Sequence, residues 1–511
     1  MHEDRTKIIF GPPGTGKTTW LIDMADQLIQ GGIPTEGILY LAFTRSAARE
    51  AASRAMRKFK KPIEDFPWFR TIHSLAFTQL GLKPRQVMNG FDYSRVAKRA
   101  ALRLSTRWSV DGNVTYAGVT PDDKIVALEA EARTRDIPLK DMWKLSNDAD
   151  IKYGMLLDFA DKLKTYKSEQ QKLDFVDILQ RFVRDGAVPP HLVLIVDEAQ
   201  DLSPVQWALV EKLGETSKRV FIAGDDDQAI YQWAGADAKR LLQLSGERVV
   251  LPKSYRVPSN IKGFAMGILG RIKGERVEKQ WDPVRTGGEV VRVADVSNAP
   301  LDKGKWLILC RNLYTVEQMA MYCYGQGLLF ESQSEGPEFI TRAMVQAVNA
   351  WQKLRQGGTI TVQDAITIYG HMSPRSGYTK GGKSALERED PDDVIDYGEL
   401  NHVYGLLRKQ GTHWENALDR LSVETINKLR SLRMDASSGT LPEPAIRIST
   451  IHAAKGLEED NVLISPDMAR RTYEGFLADP DPEHRVWYVG VTRAKQALYV
   501  MQPQTMTHYE L

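Results

Sequence analysis

At 511 residues, with 42% hydrophobic and 26% charged residues, the chain has the composition of an ordinary globular protein and the length for about three domains. A formal net charge of +2 excludes a global electrostatic argument for a polyanionic partner, so any nucleic-acid surface must be a local patch. With only Cys310 and Cys323, both in apolar runs, and no Cys/His cluster, the chain reads as having buried free thiols and no disulfide framework. No signal-peptide core and no run of ~18 apolar residues is evident, which points to a cytoplasmic compartment, or a host cell's cytoplasm for a virus-encoded chain.

Lys7–Phe10 is a short β-rich run, and Gly11–Thr19 (GPPGTGKTT) follows it directly. Leu21, Met24, Ala25 and Leu28 then fall on one helical face, and Gly31-Gly32 end that helix. Strand, glycine loop and helix in this order are the setting in which G-x-x-x-x-G-K-[ST] cradles phosphate. Gly11, Pro12, Pro13, Gly14, Thr15, Gly16, Lys17, Thr18 and Thr19 therefore form a candidate nucleotide site. The glycines let backbone N–H groups turn inward, and the helix N-terminus adds its dipole. Lys17 is placed to reach the β- and γ-phosphates, and the Thr18 hydroxyl to ligate Mg²⁺.

Ile38–Phe43 reads as a buried strand, followed by Thr44-Arg45-Ser46 and a helix from about Ala47 to Lys58. Polar residues at the end of a buried strand suit ligand binding, and equally a capped turn. Phe69–Phe77 carries His73 among apolar residues, where a satisfied core histidine is the plain alternative. Residues 82–172 read as mostly helical. Arg95, Arg99, Arg103 and Arg107 stand four apart there, which predicts four guanidiniums on one helix face. An anionic partner and a solvated face both account for that stripe. Trp108 and Tyr116 nearby suit base stacking or a core.

Leu192–Val196 is a second continuous apolar strand, ended by Asp197-Glu198-Ala199-Gln200-Asp201. Two carboxylates at a strand end, downstream of a phosphate loop, suit a metal and a water: Asp197 to hold Mg²⁺, Glu198 to orient or deprotonate the attacking water. Taken alone, the run also suits an N-cap cluster for a helix beginning near Pro204. Arg219–Gly224 is a third strand. Asp225-Asp226-Asp227 after it reads in isolation as a solvated turn, with Gln228 a candidate γ-phosphate sensor. Tyr231 and Trp233 follow, and an exposed aromatic there suits base stacking. Pro252–Pro258 offers Tyr255 and Arg256.

The second half repeats the α/β rhythm. Trp306–Cys310 reads as a strand and Thr341–Leu354 as an amphipathic helix. Ser373–Asp396 is polar, glycine-containing and charge-dense, and reads as a loop or mobile insertion. Strands at Ile446–Ser449 and Asn461–Ile464 flank Thr450–Glu458. Arg485–Val500 reads as a helix carrying Arg493, then a strand.

In this order, the segments resemble the motifs of superfamily 1 helicases of the UvrD/Rep type. GPPGTGKTT looks like motif I, LAFTRSAA like Ia, FRTIHSLAF like Ib, LVLIVDEAQD like II and FIAGDDDQAIYQWAGA like III. LPKSYR resembles IV, ISTIHAAKGLE resembles V, and VWYVGVTRAKQAL resembles VI. The resemblance implies an α/β protein with two RecA-like parallel-sheet motor domains, each with a mainly helical insertion, and ATP with Mg²⁺ held between them. Its domains would be 1–84 with 173–250, insertion 85–172, then 251–331 with 443–511, insertion 332–442. By that likeness Arg256 and Arg493, both from the second motor domain, would be arginine fingers on the γ-phosphate. Gln228 would link that phosphate to the strand-binding surface, Tyr255 would stack on the base, and Glu458 would hold the ribose. Phe43, Thr44, Arg45, His73, Trp233, Thr450 and His452 match positions lining the family's single-strand track.

Two positions depart from the family pattern: Thr19 and Ala234 each stand where an arginine is usual. The ten residues before Gly11 also leave no room for the upstream glutamine motif that reads adenine. Together these departures predict weak discrimination between ATP and GTP. The activity implied is an ATP-dependent DNA helicase that translocates 3′ to 5′ on single strands and opens single-strand/duplex junctions, with replication or repair proteins as partners. A single-strand translocase that displaces proteins with little unwinding, and an ATP-gated nucleic-acid-binding module, are the alternatives.

Overall fold

The computed structural model describes the chain apart from residues 1–2, 106–108, 112–113, 117–119, 147, 149, 333–339, 388, 432–440 and 443. It forms two compact units, Met1–Gly287 with Ala478–Val489, and Gly288–Leu477 with Gly490–Leu511.

The first unit is built on a six-stranded parallel sheet. Its strands are β1 (Thr6–Phe10), β2 (Ile38–Ala42), β3 (Phe69–Thr71), β4 (Val193–Val196), β5 (Arg219–Gly224) and β6 (Glu247–Val250). They lie in the order β3-β2-β4-β5-β1-β6. β2 and β4 are buried along their whole length, which is why they read as unbroken apolar runs. Alternate residues feed two cores. Ile8, Phe10, Leu39, Leu41, Leu194 and Val196 pack with Ile178, Phe182 and Trp207 on one face. Ile9, Ile38, Tyr40, Ala42, Val193 and Ile195 pack with Leu21, Ala25, Ala51 and Ala55 on the other.

Helices α1 (Lys17–Gln30), α2 (Arg45–Phe59) and α3 (Ile72–Gln79) follow β1, β2 and β3. α2 and α3 start on threonine caps: Thr44 Oγ1 accepts from Ala47 N at 3.1 Å, and Thr71 Oγ1 from Ser74 N at 3.2 Å. Helices α4 (Gly90–Arg99), α5 (Pro121–Thr134), α6 (Leu139–Ser146) and α7 (Tyr153–Gln170) make the first insertion. It has its own core of Tyr93, Val96, Ile125, Leu128, Leu156, Phe159 and Leu163. α8 (Phe175–Asp185) and α9 (Pro204–Thr216) return the chain to the sheet.

The expected four-arginine helix face is not formed. α4 ends at Arg99, and Ala101 at φ +55° turns the chain out of the helix. Arg103 lies beyond that turn, its N–H on Asp122 Oδ2 at 2.7 Å, and Arg107 and Trp108 lie outside the described residues, as does the side chain of Tyr116. What remains is a cavity of about 380 Å³ lined by Arg95, Lys98, Arg99, Tyr166 and Gln170.

The second unit repeats the plan. β7 (Glu289–Val293), β8 (Trp306–Cys310), β9 (Phe330–Ser332), β10 (Ile446–Thr450), β11 (Glu459–Ile464) and β12 (Ala494–Met501) form a parallel sheet in the order β7-β12-β11-β8-β10-β9. Both cysteines are free and buried, and burial pushes the Cys323 thiol up to about 12. The second insertion is a separate core around Val345, Trp351, Tyr369 and Trp414. Ser373–Asp396, expected as a loop or mobile segment, is instead part of it. Tyr378, Leu386 and Ile395 are buried there, and Val394–Ile395 pairs antiparallel with Ile360–Thr361. Three widely spaced apolar anchors in a polar stretch hold the segment without any periodic signal.

Candidate functional site

The site grows from the carboxyl ends of β1, β4 and β5, which the strand order places side by side. Gly11 N–H donates to Gly224 O at 3.0 Å and ties the loop after β1 to the end of β5. Thr15 closes the loop, its hydroxyl on Pro12 O at 2.8 Å. Gly14 at φ +74° and Gly16 at φ +77° take left-handed conformations. A Cβ on Gly11 would sit 2.0 Å from Lys17 Cγ, so the lysine stem occupies the space a side chain would need. Lys17 Nζ folds back onto Gly11 O at 3.0 Å and lies 3.8 Å from Glu198 Oε1.

The Thr18 hydroxyl donates to Asp197 Oδ2 at 2.7 Å, and Tyr40 OH donates to the same oxygen at 2.9 Å. Burial, then the charge of Glu198, raises the Asp197 pKa, and burial also keeps the Tyr40 hydroxyl protonated as a donor. A hydroxyl and a carboxylate converging on one point are hard oxygen donors, the donor set Mg²⁺ takes alongside phosphate oxygens and water. Among the described residues, no group of three or more His, Cys, Asp or Glu is arranged to hold a metal without such help. Glu198 sits at φ +56°, a conformation glycine prefers, with its N–H on Asp197 Oδ1 at 2.9 Å. Its Oε2 accepts from Gln200 Nε2 at 2.6 Å.

The Asp225–Asp227 run, which in isolation reads as solvated, is fully buried. Lys279 Nζ stands 3.1, 2.7 and 2.6 Å from Asp225, Asp226 and Asp227. Arg276 forks onto Asp227 at 2.8 and 2.7 Å, and Arg485 Nε donates to Asp226 O at 3.0 Å. Burial opposes ionisation of Asp227, but the Arg276 hydrogen bonds and the Lys279 charge outweigh it and lower its pKa. For Asp226 burial prevails over Lys279, and the pKa is raised. Gln228 Nε2 donates to Asp225 Oδ2 at 2.7 Å.

Tyr255 and Arg256 lie directly on the phosphate loop. Tyr255 N–H donates to Gly14 O at 2.9 Å and Ser254 Oγ to Pro13 O at 2.7 Å. A Cβ on Gly14 would stand 2.4 Å from Arg256 Cβ, so only glycine permits this approach. Tyr255 is 61% exposed, available to a flat ligand. Thr19 accepts from Arg54 Nη1 of α2 at 3.1 Å, which brings a guanidinium from α2 beside the end of the phosphate loop.

Trp233 is 47% exposed on the turn after Gln228. Arg135 Nη2, from the end of α5, donates to Gln232 O at 2.7 Å and braces that turn. Phe43 stacks on Tyr231 with ring centroids 5.7 Å apart, and His73 packs edge-on against Phe175 at 5.6 Å. Thr44 is exposed at the α2 cap; Arg45 begins α2, its side chain lying outside the described residues. In the second unit, Thr450 ends β10 with its hydroxyl accepting from Ala453 N at 3.3 Å, and His452 is half-buried in the next turn. Glu458 lies 3.9 Å from Lys495. Arg493 sits in the turn between the helix Pro480–Val491 and β12, not on the helix as expected, because the helix stops two residues earlier. It is buried, with Nη1 on Leu457 O at 3.4 Å.

Sequence reasoning missed Gln200, Tyr40, Arg54, Arg276 and Lys279. Only Gln200 carried a signal: an amide between two acids at a strand end is placed to donate to them. The other four are distant in sequence from what they touch.

The UvrD/REP helicase N-terminal domain matches residues 1–248, and the UvrD-like helicase C-terminal domain matches residues 340–505. A probable DNA helicase II homolog of Rickettsia conorii is 22% identical over 99% of this chain and 91% of its own length. DNA helicase II of Haemophilus influenzae is 26% identical over 98% and 82%. The ATP-dependent DNA helicase PcrA of Staphylococcus aureus is 23% identical over 96% and 80%.

Proposed function

Because the chain belongs to the UvrD/Rep family of DNA helicases, we propose that it hydrolyses ATP to move 3′ to 5′ along single-stranded DNA and to unwind the duplex ahead. The observation that carries the reading is the convergence, in one unit, of the Gly11–Thr19 loop, the Thr18–Asp197 pair and the Glu198–Gln200–Asp225 contacts at three adjacent strand ends. The exposed Trp233 lies five residues beyond Gln228 on the same segment.

In this reading the loop N–H groups hold the triphosphate, and Lys17 leaves Gly11 O for the β- and γ-phosphates. Thr18 and Asp197 would hold Mg²⁺, which when bound neutralises charge on those phosphates. Glu198 takes the proton of the attacking water. Gln228 contacts the γ-phosphate, and Arg256 and Arg493 stabilise charge in the transition state. Tyr255 stacks on the base and Glu458 binds the ribose. Trp233, with Phe43, Thr44, Arg45, His73, Thr450 and His452, carries the strand, aromatics stacking bases and polar groups meeting the backbone. The two motor domains, their insertions and a cytoplasmic site of action are proposed on the same family likeness; among the described residues no helix is long and apolar enough to cross a membrane.

The test is ATP hydrolysis with and without single-stranded DNA, then unwinding of duplexes bearing a 3′ or a 5′ tail. Stimulation by single strands and unwinding from the 3′ tail are expected. Unwinding from the 5′ tail alone reverses the polarity. Displacement of bound protein without unwinding assigns the translocase activity instead.

A further inference from the structure

We infer that Gln200 is a positioning residue that ties the Glu198 carboxylate to the Asp225–Gln228 turn, so that the state of that turn sets the aim of the catalytic base. The inference rests on the roles proposed above for Glu198 and Gln228. The Gln200 side chain is fully buried and every polar atom of its amide is engaged. Nε2 donates to Glu198 Oε2 at 2.6 Å and to Asp201 Oδ2 at 3.2 Å; Oε1 accepts from Asp225 N at 2.9 Å. These partners fix the amide's orientation, since a flip would set its oxygen against two carboxylates and its NH₂ against an N–H.

The approach depends on Gly224, where a Cβ would lie 2.8 Å from Gln200 Oε1. Asp225 Oδ2 in turn accepts from Gln228 Nε2 at 2.7 Å, and Lys279 Nζ stands 3.1 Å from Asp225 Oδ1. Glu198 is thereby connected to Gln228 through the Gln200 amide and a single residue, Asp225. Lys17, at 3.8 Å, also faces the Glu198 carboxylate, and in the proposed function phosphate binding draws Lys17 away. With nucleotide bound, the Gln200 amide still holds Glu198 Oε2. A shift of the Gln228 turn, whether from the γ-phosphate or from a strand at Trp233, passes to Asp225 N–H and through the amide to Glu198.

Gln200→Met keeps the side-chain volume and removes all three bonds. Gln200→Glu keeps an acceptor for Asp225 N–H but replaces the donor facing Glu198 with a carboxylate. Both are made in the full chain and assayed for single-strand-stimulated ATP hydrolysis, with binding of a fluorescent nucleotide analogue and of single-stranded DNA, and a thermal melt. With DNA saturating, kcat is expected to fall about 10²-fold in each, the effect of misplacing a reacting group by about 1 Å, while KM for ATP changes less than about threefold. Gln200→Met with Gln228→Ala is expected to lose no more than about threefold beyond Gln228→Ala alone, because both act on one path. A folded variant whose kcat stays within about threefold of wild type, or losses that multiply in the double variant, overturns the inference. If Gln200→Met does not fold, the Gln200→Glu arm decides. A wild-type chain that DNA does not stimulate removes the functional reading itself, whereas a stimulated wild type with equally stimulated variants removes only the role of Gln200.

Discussion

Lys279→Met tests whether the three aspartates after β5 are held by one buried cation. The lysine is 2% exposed at the side chain and lies within 3.1 Å of all three carboxylates. Its removal does not strand every acid: Arg276 stays on Asp227, Gln228 on Asp225, and Val277 N–H on Asp226 Oδ2 at 3.0 Å. The loss should therefore be that of one broken buried ion pair, about 3–5 kcal/mol. For a unit of this size that is roughly 6–10 °C in apparent Tm. The pH dependence follows from the direction of each shift. Burial opposes the Lys279 charge, but the Asp225, Asp227 and Asp226 charges outweigh it and raise its pKa, so the lysine itself stays protonated from pH 5 to 8 and any change in its contribution over that range comes from the acids it faces. The lowered pKa of Asp227 contributes stability above about pH 4 that is lost as pH falls through its folded value. Asp226, with a raised pKa, acts in the opposite sense: its cost appears as pH rises through the carboxylate range. Without Lys279, Asp226 and Asp227 lose a charge that lowers their pKa values, and protonation relieves them. Calorimetry of the full chain should therefore find the Tm deficit largest near pH 8 and smaller near pH 5. A deficit under about 2 °C at pH 8, or one that does not change with pH, refutes this account of the cluster.

Four further outcomes are expected. Lys17→Ala should abolish hydrolysis in a folded chain, and Glu198→Gln should bind nucleotide and DNA without turnover; normal turnover in Glu198→Gln removes that residue from the chemistry. Arg256→Ala or Arg493→Ala should lower kcat by about 10³-fold or more with much smaller change in nucleotide affinity, and a raised KM at constant kcat would mean that the arginine only binds substrate. Trp233→Ala should weaken single-strand binding by roughly 1–3 kcal/mol and spare DNA-independent ATPase, which titration by fluorescence anisotropy can check. GTP should be used with kcat/KM within about tenfold of ATP, ~1.4 kcal/mol, since stacking discriminates bases poorly. A hundredfold preference for ATP would be the contrary result, and Arg54→Ala would then be the variant to examine, its guanidinium being 3.1 Å from Thr19.

The sheet framework was legible because its signals are local. A phosphate loop needs glycines at fixed spacing, and strands buried on both faces must be apolar throughout, so β1, β2, β4 and β5 announced themselves. The cluster around Lys279 was not legible. Its parts lie in Asp225–Asp227 and in a charged stretch some fifty residues on, and charge runs in isolation look like solvated surface whether or not a counter-charge folds over them. The arginine stripe failed for the converse reason. Its spacing is helical, but spacing does not report where a helix stops, and Ala101 at positive φ stops this one after Arg99. Ser373–Asp396 failed because Tyr378, Leu386 and Ile395 follow no period, and a core built from isolated anchors leaves no pattern to read.

The brace from Arg135 to Gln232 O bears on modularity. Insertions in sheet proteins are natural targets for deletion or exchange, because each has a core of its own and the parent sheet closes without it. Here the end of α5 holds the backbone of the turn that presents Trp233, and Gly235 in that turn leaves only 3.2 Å between an added Cβ and Thr134. On the strand-binding role proposed for Trp233, a chimaera that replaces the insertion carrying α4–α7 is expected to keep the ATPase framework and still bind single strands more weakly. To be interchangeable, a graft must carry a guanidinium at the Arg135 position and a small contact surface facing Gly235, so Thr134 and Arg135 belong structurally to the turn that presents Trp233.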